Sequence, residues 1–92
     1  MKTLKNFIKK LEQIDPQYNF NDYFYTIDLL IDIVDYTTQQ KKQLVNNLLQ
    51  LEKIGKKHID QTQIKTNDAT IEYTIFLSDY AIKKIAKSEG VY

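Results

Sequence analysis

The sequence predicts a mainly helical α+β domain with the order α-α-α-β-β-α, and three observations carry that expectation. Apolar residues recur at three- and four-residue steps through most of residues 3–54. Strict alternation appears from Thr70 to Leu77, and capping or turn residues separate the runs. The predicted elements form a single domain over residues 1–92: helices at about 3–14, 22–36 and 38–54, a hairpin at about 58–66/70–77, and a helix at about 79–89.

In the first helix Leu4, Phe7, Ile8, Leu11 and Ile14 share one face, with Thr3 as the N-cap and Lys5, Asn6, Lys9 and Gln13 outward. Asp15-Pro16 ends it, because the residue before proline avoids the helical region. Gln17 to Asn21 reads as a polar loop. Asn21 or Asp22 then caps the second helix, whose stripe is Tyr23, Phe24, Ile27, Leu30, Ile31 and Val34. Its other side carries Tyr25, Leu29, Ile33 and Tyr36, a second apolar strip that leaves the helix either sandwiched or in contact with a protein partner.

Thr37, with Gln40 three residues later, forms a capping box for the third helix. Leu44, Val45, Leu48, Leu49, Leu51 and Ile54 make its apolar side, and Gly55 stops it as a left-handed residue. From Thr70 to Leu77, Ile71, Tyr73, Ile75 and Leu77 alternate with Thr70, Glu72, Thr74 and Phe76. That pattern, the polar run from His58 to Thr66 and the Asn67-Asp68 turn predict a hairpin, with a helix from Asp68 as the rival. Ser78 caps the last helix. Its narrow face of Ala81, Ile82, Ile85 and Ala86 suits a homodimer contact, which would help so small a domain.

Length and composition set the limits on function. A hydrophobic share of 42%, with seven Tyr and four Phe, supplies a core and excludes wholesale disorder. There is no cysteine, so disulfides and thiolate metal sites are excluded. No apolar run approaches the roughly 20 residues of a membrane span, and a signal-peptide core is lacking, so a cytoplasmic protein is expected. Net charge is only +1, yet the charges are segregated. No lysine falls between Leu11 and Gln40, where Glu12, Asp15, Asp22, Asp28, Asp32 and Asp35 lie. In the next stretch Lys41, Lys42, Lys53, Lys56 and Lys57 face only Glu52.

The polar face of the third helix is the candidate site. Gln39, Lys42, Gln43, Asn46, Gln50 and Lys53 place amides and ammonium groups together with no carboxylate. Gln and Asn make bidentate bonds to adenine and Lys reaches guanine or phosphate, so this face suits a DNA major groove, whereas an ordinary solvated face is the plain alternative. Asp28, Asp32 and Asp35 line up on the predicted second helix, but one helix face without further oxygens is a poor cation site, and no metal or other cofactor is expected. His58 beside Asp60 lacks a serine or second acid in a motif, and there is no glycine-rich phosphate loop, so no enzyme is expected.

The segments LLQLEKIG, KKHIDQTQIK and IEYTIFLSDYAIKKIA, from Leu48 onward, resemble the second half of winged helix-turn-helix domains of the MarR-like or PadR-like kind. The matching residues are Leu48, Leu51, Glu52, Lys53 and Gly55, then the two strands and the helix from Ser78. The resemblance implies a dimeric DNA-binding protein acting in transcription regulation, with double-stranded DNA as partner and no membrane. It departs from the family in its long acidic second helix and in the lack of arginine at the wing, where Lys65 is the basic residue. The aspartates would repel phosphate in the standard docking, which leaves Lys5, Lys9 and the wing as a second way to meet DNA. The competing class is a protein-interaction module: a small inhibitor, antitoxin or immunity protein that does not bind DNA.

Overall fold

The computed structural model describes residues 2–88, with side chains described for residues 5–85. Its order is α1 (Lys2–Ile14), β1 (Asn19–Asn21), β2 (Thr26–Asp32), α2 (Thr38–Ile54), β3 (Ile59–Thr66), β4 (Thr70–Leu77) and α3 (Asp79–Ser88). The four strands form one antiparallel sheet in the order β1-β2-β4-β3.

This architecture overturns the mainly helical winged order. The segment read as a helix over residues 22–36 is a turn followed by β2, and the loop before it contains β1. Asn21 was expected to cap a helix. Its side-chain oxygen does accept the N–H groups of Tyr23 (2.9 Å) and Phe24 (3.1 Å), as a cap would. The chain then enters the left-handed region at Tyr25, φ 51°, which ends any helical continuation. From there Ile27, Leu29, Ile31 and Ile33 face the core, while Asp28, Leu30 and Asp32 face the opposite side. β2 pairs along its whole length with β4, from Thr26 opposite Phe76 to Asp32 opposite Thr70. Asp28 and Asp32 therefore belong to a strand face, and Asp35 follows in a turn.

The core lies between the sheet and the helices, built by Phe7 and Leu11 of α1, Leu44, Leu48 and Leu51 of α2, Ala81 of α3 and the inward residues of β2 and β4. Leu29 and Ile33, expected on a partner-binding strip, are core residues, and Tyr36 packs half-buried against them. Tyr25 alone of that set is exposed.

The second half follows its expected elements. Thr37 and Gln40 form both hydrogen bonds of the capping box. Residues 70–77 are a strand, with the core residues of the expected alternation, and Asn67 closes the hairpin by accepting from Ala69 (2.7 Å) and Thr70 (2.8 Å). Ser78 caps α3 through the Ala81 N–H (3.2 Å). Two details differ. Thr3 lies within α1, not ahead of it, and Gly55 has φ −90°, so it is no left-handed stop. Its lack of a side chain serves close approach instead: a Cβ there would fall 2.7 Å from Cδ1 of Phe7 and closer still to Cε1. The side chains of Thr3, Leu4 and Ala86, and the expected helix end at Glu89 and Gly90, lie outside the described residues.

Two acidic side chains tie elements together. Asp15 accepts from Gln17 (3.0 Å) and from the N–H of Leu30 (3.2 Å), which lies beyond the end of β1 and has no strand partner there. Glu52 of α2 accepts from the Tyr73 hydroxyl (2.5 Å) and the Thr62 hydroxyl (3.4 Å), fixing the helix over β4 and β3. Burial, then the bond to Glu52, pushes the Tyr73 hydroxyl well above the usual tyrosine range.

Candidate nucleic-acid interface

The outer side of α2 carries the six residues expected there. Gln39, Lys42, Gln43, Asn46, Gln50 and Lys53 are all exposed, opposite the buried Leu44, Leu48 and Leu51. At 17 residues the helix is about 25 Å long. Its one carboxylate, Glu52, is half-buried, bonded to Tyr73 and Thr62 at the border of the cleft formed by Asn46, Gln50, Lys53 and Lys56, so the exposed charges of α2 and the turn after it are the ammonium groups of Lys41, Lys42, Lys53, Lys56 and Lys57. α1 packs beside α2 and adds exposed Lys5 and Lys9 one turn apart, with Glu12 and Gln13 towards its end. Val45 and Leu49 flank the face as exposed apolar residues.

Lys65 does not join this set. In β3 it lies opposite Glu72, on the open face of the sheet with Asp28, Leu30 and Asp32. Thr74 donates to Asp28 there (2.7 Å). The structure thus separates the wing lysine from the helix lysines by the thickness of the domain. The α3 stripe expected at a dimer contact is used within the protomer: Ala81 is fully buried, and Ile82 and Ile85 pack against the core.

His58 is no strand residue touching solvent. It sits in the turn before β3, 1% exposed, stacked on Phe7 at 5.6 Å and met edge-on by Tyr80 at 5.4 Å. Its Nδ1 has no hydrogen-bond partner among the described residues. Burial, then Lys57 and Lys84, holds its pKa below the ordinary value.

Sequence reasoning missed the end of the sheet where the β1–β2 turn, the α2–β3 turn and the start of α3 meet. The Leu77 N–H donates to Tyr25 O (3.1 Å), the Ser78 N–H to His58 O (2.9 Å), and the Ser78 hydroxyl to Lys57 O (2.7 Å). Tyr23 and Phe24 protrude from it, 81% and 66% exposed, with rings in edge contact at 4.8 Å. The available signal was a run of three aromatics, Tyr23 to Tyr25, directly after the turn-forming pair Asn21-Asp22.

Among the described residues no three His, Cys, Asp or Glu side chains come together as a metal site, and no helix is long and apolar enough to cross a membrane. No family model matches the chain, and no curated protein or solved structure matches it either.

Proposed function

We propose that the protein is a DNA-binding protein, not an enzyme, that lays the outer face of α2 in the major groove of double-stranded DNA. The observation that carries this reading is the exposed face of amides and lysines on a helix whose one carboxylate is half-buried and bonded to Tyr73 and Thr62. A major groove about 12 Å wide admits a helix, and Gln43, Asn46 and Gln50 offer the bidentate amide chemistry that reads adenine. Lys53, Lys56 and Lys57 at one end, and Lys5 and Lys9 on the neighbouring helix, serve phosphates, which orient the protein without reading sequence.

The acidic second helix that argued against groove docking does not exist. Asp28 and Asp32 lie on the sheet face away from α2, so their repulsion orients the molecule and does not block the helix, while Asp35 sits exposed in the turn before it. Fluorescence anisotropy on mixed-sequence duplex DNA at low and moderate salt tests the reading. Neutralising Lys53, Lys56 and Lys57 together to Gln is expected to weaken binding across all sequences and flatten its salt dependence. Replacing Gln43, Asn46 or Gln50 by Ala is expected to lower discrimination between sites by about 1–3 kcal/mol per base contact while non-specific binding remains. Duplex binding that ignores both sets overturns it.

A further inference from the structure

We infer that the aromatic end of the sheet is a second nucleic-acid contact, one that stacks unpaired bases of a single strand on Tyr23, Phe24 and Tyr80. The three rings come from two segments joined by the backbone bond from the Leu77 N–H to Tyr25 O, and the bond from the Ser78 N–H to His58 O ties the α2–β3 turn to the same place. The turn holding Tyr23 and Phe24 is closed by the Asn21 side chain and keeps a left-handed tyrosine at its exit, so the rings are displayed by an ordered loop. Tyr80 is half exposed, with one edge against buried His58 and the Lys84 ammonium 5.3 Å from its ring centre.

The chemistry of this end selects the occupant. Its exposed large apolar side chains are all aromatic, with flat faces that fit bases of any identity. Lys57, whose carbonyl accepts from the Ser78 hydroxyl, and Lys84, over the Tyr80 ring, lie at this end with their chain neighbours Lys56 and Lys83, against Asp22, Asp60 and Asp79, which leaves a small positive excess. Burying the loop in a bilayer would take Asp22 and Asn21 into lipid with the rings, which disfavours a membrane. Lys56 and Lys57 also continue the face of α2, so a strand leaving a duplex bound there meets this end next. The choice of nucleic acid as the polymer rests on the reading of α2, while the stacking platform rests on the rings.

The test uses the full chain and fluorescein-labelled oligothymidylate of about 10 nucleotides, within the site sizes usual for stacking platforms. Tyr23→Ala and Tyr80→Ala are each expected to weaken oligothymidylate binding by about five- to 150-fold, the range for one lost base stack, and to leave duplex affinity unchanged. Tyr23→Phe retains binding, whereas Tyr23→Leu, which keeps apolar area but no ring, does not. Because the charge excess is small, single-strand binding should also depend less on salt than duplex binding. Oligothymidylate binding that is absent, or that survives Tyr23→Leu, overturns the inference. So does retention of the protein on phosphatidylserine vesicles through Phe24 with no oligonucleotide bound. Duplex binding that ignores the lysine and amide variants of α2 would overturn the α2 reading and leave the platform standing.

Discussion

On the helix side, α1, α2 and the turn after α2 display Lys5, Lys9, Lys41, Lys42, Lys53, Lys56 and Lys57 against exposed Glu12. On the open side of the sheet, Asp28, Asp32 and Glu72 stand with Lys65 as their only lysine among the described residues. Both sets attach to one core, and the two periodicities of the backbone sort them. Helix geometry turns the lysines outward opposite Leu44, Leu48 and Leu51. Strand alternation sends Asp28 and Asp32 away from Leu29 and Ile31. A chain of net charge +1 therefore becomes a body with a more positive helix side and a more acidic sheet side, which is what the proposed docking through α2 requires. Net charge alone would have predicted no such division.

Neighbouring residues of β2 give the largest test of this two-sided picture. Leu29 is 0% exposed and Leu30 is 61% exposed. Leu29→Ala is expected to cost about 2–5 kcal/mol in urea unfolding, as buried leucines do. Leu30→Ala should stay within about 0.5 kcal/mol. Equal costs would break the comparison, because they would mean that the open face is itself covered.

The same strand shows where the sequence was ambiguous. Tyr23, Phe24, Ile27, Leu30, Ile31 and Val34 satisfy a helical period, and Ile27, Leu29, Ile31 and Ile33 satisfy a strand period. Leucine at position 30 hid the alternation, since an exposed apolar residue on the open face looks like the next step of a helical stripe. The β-branched residues Ile27, Ile31, Ile33 and Val34 favoured the strand, but their preference is a weak signal until pairing with β4 is known. β1 spans three residues, too short for any period. α2 and the β3–β4 hairpin were legible because local chemistry fixes them: the box at Thr37 and Gln40, the turn at Asn67, and Ile71, Tyr73, Ile75 and Leu77 in unbroken alternation. The face of α2 was legible for the same reason, whereas the aromatic end depends on which segments meet in space.

Gly55 offers a smaller perturbation confined to the helix side. Gly55→Ala would drive a methyl into the buried Phe7 ring, which is itself stacked on His58. The expected loss is about 1–3 kcal/mol, the usual range for an overpacked core. Replacing Phe7 by Leu in the same chain should recover part of it, since the crowded ring is then gone. A neutral Gly55→Ala would mean that Phe7 moves aside freely and that glycine is there for helix termination alone.

The smallest effect expected is in the pH dependence of stability, and it belongs to the junction between the two sides. His58 is buried between Phe7 and Tyr80, and burial, Lys57 and Lys84 all disfavour its imidazolium. Its folded pKa lies below its unfolded value of about 6.5, so the unfolded chain binds the proton first as pH falls. Above about 6.5 both states hold a neutral imidazole and His58 adds no slope. Below it the unfolded chain is stabilised by a proton that the folded protein refuses, and stability declines until the folded pKa is passed. Urea midpoints measured from about pH 7.5 down to 5 should show this decline, and His58→Phe should remove the part that begins near 6.5. Lys84→Gln tests the cause separately: an NMR titration of the imidazole should move towards its ordinary pKa while the stability slope shrinks. An unchanged slope in His58→Phe would locate the acid sensitivity elsewhere.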